Sequence, residues 1–297
     1  MAGYPSAPPD WQVAERHKVG PFTTGVSFRD AAGEVSEWTS REHRKHASLL
    51  SRSGSRGSAL WAPRRASWWI GVLFAIGSAC FLVGPFPGFV QLVGPGADGV
   101  VFFVGSIFFT SAATLQYLEG ANADRGPRRH GERPRMRLLA FGPHRIDWWS
   151  TLVQLVGTIL FNVSTFDAMK EGLDAMSANR LIWAPDLFGS VCFLISGYLA
   201  YVEVFGGLFR RPRGHGIGGR IAFINLVGCV AFGVSALASY YVPETGDVLN
   251  LAAANFTTAF GALCFLIGSL MLLAESAESE AGDAPARADP ARERNSA

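Results

Sequence analysis

Most metal and acid–base sites are built from histidine, cysteine and carboxylate side chains. In this chain the placement of those residues argues against such a site. The six histidines are His17, His43, His46, His130, His144 and His215, and all fall in polar segments. His43 and His46 are three apart and could share a helix face, but no third ligand lies in phase with them. Cys80, Cys192, Cys229 and Cys264 all sit inside apolar stretches, where a thiol behaves as a small apolar side chain. Ser78, Ser106 and Ser111 have no base nearby in sequence to activate them. The glycine-rich GHGIGG at 214–219 follows no strand, so it reads as a flexible loop rather than a phosphate cradle. No catalytic residue, cofactor, metal site or nucleic-acid partner is expected.

Two sets of polar residues remain. Glu119, Glu203 and Glu275 stand at the ends of apolar stretches, and Arg65, Arg145 and Arg220 stand at the starts of others. A carboxylate at a helix C-terminus faces the negative end of the dipole and gains from a cationic partner. Glu–Arg pairing is therefore expected, against the alternatives that these residues mark a border or form a functional site. Gln116, Gln154, Asn162, Asn225 and Asn255 lie inside apolar stretches. Interhelical hydrogen bonds are the expected use, and a polar cavity formed by Gln154, Asn162 and Asn225 is the alternative.

The elements that must position these residues are membrane spans. The chain has 297 residues, 49% of them hydrophobic, and nearly all of the apolar ones fall between Trp68 and Ala274. Uncharged apolar runs of about 17 residues or more read as transmembrane helices. They fall near 68–84, 99–118, 147–166, 185–205, 221–242 and 248–274. The expected fold class is an all-α membrane protein of six transmembrane helices arranged as three tandem two-helix repeats. No span carries an ionisable residue near its centre, the usual mark of an ion or proton pathway.

Of 26 Lys and Arg, 24 lie before span one, between spans two and three, between spans four and five, or after span six; the opposite connections hold only Lys170 and Arg180. Basic loops stay cytoplasmic. The expected location is the cell membrane, multi-pass, with both termini cytoplasmic. Trp68–Trp69 and Trp148–Trp149 read as interfacial anchors. The loop 120–145, with seven arginines, should meet anionic lipid headgroups. Residues 1–67 form a cytoplasmic, partly disordered segment with a short amphipathic helix around 34–50 and a flexible SRSGSRGS linker. Residues 276–297 form a disordered tail.

Between these flanks the sequence repeats, in units of about 68–119, 147–205 and 220–275. Odd spans align on Gly77, Gly157 and Gly228, each followed four residues on by Phe81, Phe161 and Phe232. Even spans align on Gly105, Gly189 and Gly261, followed by Phe109, Phe193 and Phe265 at four residues and by Glu119, Glu203 and Glu275 at fourteen. Gln154 and Asn225 share one repeat position, where the first unit has Phe74. Units of two spans insert with equal polarity, so their relating axis lies along the membrane normal and a pseudo-threefold ring follows. Glycines and serines at the aligned positions permit close helix approach.

The pattern Phe-x-Gly-Ser-x-x-Phe, Phe103 to Phe109 and loosely Phe188 to Phe193, resembles the YrhK-like family of small bacterial membrane proteins. The resemblance covers the hairpin units and implies no defined activity. Three two-span units are also similar in outline to mitochondrial carriers. The carrier signature of Pro-x-acid-x-x-base is missing: the odd spans end in VGPFPGF, STFDAMK and YVPETGD. The expected function is a non-enzymatic structural or accessory membrane protein, with self-association or a membrane partner left open. A transporter or channel for a small solute is the alternative. A packed apolar centre favours the first, and a polar cavity reaching the midplane favours the second.

Overall fold

The computed structural model describes residues 12–29, 33, 35–39, 60–63, 65–122, 138–139, 141–207 and 216–282. The basic loop 123–137, the linker 51–58, His43, His46 and the tail beyond 282 lie outside the described residues.

Among the described residues three strands come first: β1 (Gln12–Val19), β2 (Phe22–Arg29) and β3 (Val35–Thr39). They pair antiparallel in the order β1-β2-β3, with Val19 opposite Phe22 and Arg29 opposite Val35. Gly20 turns the first hairpin at φ 57, a conformation a side chain resists. The helix expected from residue 34 is thus replaced by β3 over 35–39, and residues 40–50 lie outside the described residues. Backbone pairing with Gly25–Arg29 overrides local helix propensity, in a segment whose composition includes the strand formers valine, tryptophan and threonine.

Among the described residues seven helices follow: α1 (Ala66–Val83), α2 (Pro87–Val93), α3 (Pro95–Asn122), α4 (Ile146–Asp167), α5 (Ala175–Phe205), α6 (Gly216–Ala238) and α7 (Leu251–Gly282). All but the short α2 are long and apolar enough to cross a membrane, which makes this an integral membrane protein of six spans. Helices of 18 residues or more rise at least about 27 Å, close to a bilayer's hydrocarbon core.

Three element boundaries differ from the sequence expectation. α5 starts at Ala175 rather than at residue 185, because a π turn over Asn179–Trp183 lets the helix carry Pro185 without a break. α6 starts at Gly216, so four of the six residues of the expected glycine loop form the first helical turn. α7 continues to Gly282, past the expected start of the disordered tail.

Each span packs on the next, and α7 closes on α1, giving a ring of six helices. Within every hairpin the two helices cross at a glycine pair. A Cβ at Gly77 would lie 2.9 Å from the Gly105 carbonyl oxygen, one at Gly157 3.0 Å from that of Gly189, and one at Gly261 3.1 Å from that of Gly228. Hydrogen bonds join neighbouring hairpins. Asn162 donates to Thr110 at 2.9 Å across α4–α3, Trp183 donates to the Ala236 carbonyl at 2.9 Å across α5–α6, and Ser276 donates to Ser67 at 3.0 Å across α7–α1. The sheet docks at the end of the ring where α1 begins and α7 ends, hereafter the terminal face. There the Thr23 N–H donates to the His144 carbonyl at 3.2 Å, and Val19 packs on Ile146 and Val202.

Candidate functional site

The axis of the ring is closed by six phenylalanines, one from each span. Phe81, Phe109, Phe161, Phe193, Phe232 and Phe265 are all buried in a single core cluster. They are the residues four positions after the crossing glycines, and the geometry follows from that offset. One helical turn carries an odd-span phenylalanine away from the terminal face, and an even-span phenylalanine toward it. Two layers result. Phe109, Phe193 and Phe265 form a triangle with ring centroids 5.9–6.5 Å apart. In the other layer Phe232 stands 6.3 Å from Phe81 and 6.2 Å from Phe161. The layers are joined within hairpins at 5.5 Å (Phe81–Phe109), 5.0 Å (Phe161–Phe193) and 5.7 Å (Phe232–Phe265). The void left among them is about 10 Å³, the lower limit for a single water, and its walls are almost wholly aromatic.

On the terminal side of this plug lies a chamber of about 130 Å³ walled by all six spans. Phe193 and Phe265 form its floor. Gln116, Glu119, Gln154, Ser196, Glu203 and Asn225 supply its polar wall. Of the expected cavity residues, Gln154 and Asn225 are therefore brought together and Asn162 is not. Asn162 serves the α4–α3 seam through its bond to Thr110, the interhelical use. Gln154 accepts from Ser196 at 3.3 Å. The Gln116 Oε1 and Asn225 Oδ1 oxygens are buried with no hydrogen-bond partner among the described residues. Polar atoms left so are costly unless water or a ligand reaches them.

Among the expected ion-pair residues, Glu119 and Glu203 line this chamber, whereas Glu275 stands one turn beyond Leu272 of its wall. Arg65 and Arg145 are buried at the same end of the ring. Arg145 makes its ion pair with Asp147, two residues on, through both Nε and Nη2, in place of the expected glutamate. The start of α4 explains the choice: Arg145 is still extended at ψ 125, so its side chain folds over the first helical turn. Asp147, fully buried, would lack a counter-charge without it. Arg220 is exposed and has no ion pair among the described residues.

Beyond the plug a second chamber, about 260 Å³, opens toward the opposite face and is again walled by all six spans. Phe81, Phe161 and Phe232 form its floor, and Asp186 of α5 is its only carboxylate. The expected span 185–205 puts Asp186 at its very edge. With α5 beginning at Ala175, Asp186 lies inside the span, about 10 Å along the helix from Phe193. Tyr241, in the connection before α7, also lines this chamber. Burial, and then the Asp186 charge, push its phenol above the usual range, so it stays protonated.

The fold and site define a class: a polytopic membrane protein whose closed helical ring holds two chambers separated by an aromatic plug. No family model, curated protein or solved structure matches the chain.

Proposed function

We propose that this protein is a non-enzymatic transporter or channel for a small polar solute, held here with its pathway closed. One observation carries the reading. Two chambers, each walled by all six spans, meet on one axis and are separated only by the phenylalanine plug. Apolar constrictions of this kind gate by excluding water. Transporters built from repeated units place their substrate sites near the midplane, at the interface between the repeats. On this reading the three hairpins are copies of one two-helix unit, with the crossing glycines and the phenylalanines as its recurring core. The resemblance to the YrhK-like family concerns that unit. Charge asymmetry supports cytoplasmic termini in the cell membrane, so the smaller chamber faces the cytoplasm and its basic loops meet anionic lipid.

A structural or accessory role is the second reading, favoured by the tightness of the plug. Polar substitutions in two plug positions separate the two. Reconstituted Phe193→Asn and Phe109→Ser should raise potassium leak from vesicles at least tenfold over wild type, because a wetted constriction conducts. A charged thiol reagent on Gln154→Cys, with the native cysteines replaced, should then block that leak. Variants that melt as cooperatively as wild type in tight vesicles would refute the pathway and leave the structural role.

A further inference from the structure

We propose that the larger chamber is a binding site for a small organic cation, a primary or quaternary ammonium, with Asp186 as its counter-charge. The proposal rests on the transport reading above and names its substrate class.

The sign comes first. Asp186 is the sole charged side chain in the wall. It makes no ion pair among the described residues, and every residue of this half of the ring is described. A carboxylate inside a span, facing a cavity rather than a partner, is by default a functional group. The surrounding face has the same bias. Asp98, Asp167, Glu171, Asp174, Glu244 and Asp247 join Asp186 there against Lys170 and Arg180 alone, seven acids to two bases. Lys170 is already held by Asp167 at 2.6 Å. Such a rim concentrates cations at the mouth.

Hydrogen-bond direction gives the same answer independently. Four hydroxyls of the wall spend their protons on backbone carbonyls. Ser164 donates to the Ile182 carbonyl at 2.9 Å, Thr165 to that of Phe161 at 2.7 Å, Ser235 to that of Ala254 at 3.0 Å, and Ser239 to that of Ser235 at 2.7 Å. The Trp183 N–H is likewise used, on the Ala236 carbonyl. What these four hydroxyls offer the chamber is lone pairs, while the Tyr241 phenol and the Asn255 amide in the same wall can donate. A ligand that donates and carries positive charge is matched by these lone pairs and by Asp186, whereas an anion would face that carboxylate.

The floor decides between a metal ion and an organic cation. Phe81, Phe161 and Phe232 close the bottom. Aromatic faces attract weakly hydrated ammonium groups, while a hard cation asks for a complete oxygen shell that this floor does not supply. At about 260 Å³ the space is below the roughly 300–1,000 Å³ of drug-sized ligand sites, which limits the occupant to a few heavy atoms.

Equilibrium dialysis of radiolabelled tetramethylammonium against the full chain in detergent tests this. Wild type should bind saturably, with tert-butanol, acetate and sodium at equal concentration failing to compete. Asp186→Asn should weaken binding at least tenfold, Asp186→Glu should restore most of it, and removal of a rim charge, Glu171→Gln, should change it less than twofold. Equal competition by tert-butanol or sodium, or unchanged binding in a folded Asp186→Asn, overturns the assignment. The wild-type competition decides it even where Asp186→Asn does not fold. Binding without flux through the plug variants would leave this site standing and remove the transport reading. Flux with no tetramethylammonium binding would do the reverse.

Discussion

Replacing Gly157 with alanine tests the helix crossings on which the whole ring depends. A Cβ there would lie 2.9 Å from Cys192 Cβ, 2.9 Å from Phe193 Cδ2 and 3.0 Å from the Gly189 carbonyl oxygen. The first and last of these atoms are fixed to the α5 backbone and cannot swing away. The helices must therefore part by about 0.6 Å to regain an ordinary carbon–carbon separation near 3.5 Å. Forcing a methyl into such a contact costs about 1–3 kcal/mol. Alanine's better helix propensity returns at most about 1 kcal/mol, so a net loss of about 1–2 kcal/mol is expected. For chains of this order that is a fall in melting temperature of about 2–8 °C. Gly77→Ala and Gly228→Ala meet the same kind of contact, at 2.9 Å from Phe109 and Phe265 respectively, and should behave alike. Gly88→Ala and Gly96→Ala add a methyl in open space and should melt at or above wild type. The assay is thermal unfolding in one detergent, followed by circular dichroism. A Gly157→Ala protein as stable as wild type, or a Gly96→Ala protein as weakened as Gly157→Ala, would refute the crossing as described.

Arg145→Gln strands the buried Asp147 carboxylate and should cost more than any glycine variant, about 3–5 kcal/mol. Adding Asp147→Asn should recover much of that loss. In double-mutant cycles the coupling of Arg145 to Asp147 should exceed its coupling to Glu203, and equal couplings would show that the buried pair is not the dominant one. Orientation is checked with two exposed positions in a chain whose native cysteines are replaced. Glu244→Cys should react with an impermeant thiol reagent from outside intact cells, and Leu139→Cys only after permeabilisation; the reverse pattern would overturn the charge argument.

The six spans were legible because lipid solvation leaves a coarse signal, a long uncharged apolar run that few other elements imitate. The recurring glycines and phenylalanines are equally visible in the sequence, as is their offset of four. What the offset does is not, because its meaning appears only when six helices close into a ring and one turn separates a crossing from a plug layer. Local rules misled where tertiary structure absorbs an exception. The apolar run puts a span's edge at residue 185, yet a π turn carries Pro185 inside α5, and the helix upstream of it makes Asp186 an intramembrane carboxylate. Arg145 reads as a partner for a distant glutamate with matching repeat position, but an aspartate two residues away needs no long-range geometry to reach it. The strand over 35–39 was masked by a helix-like composition that pairing with β2 overrides. The polar residues divide by position around each helix rather than by type. Asn162 and Asn225 sit on successive odd spans, five residues after and three before the crossing glycine, which turns one to a seam and the other to the axis. A helix-wheel phase anchored on those glycines therefore separates seam from chamber within each span. Sequence order alone could not, because it carries no information on where the axis lies until the ring is closed.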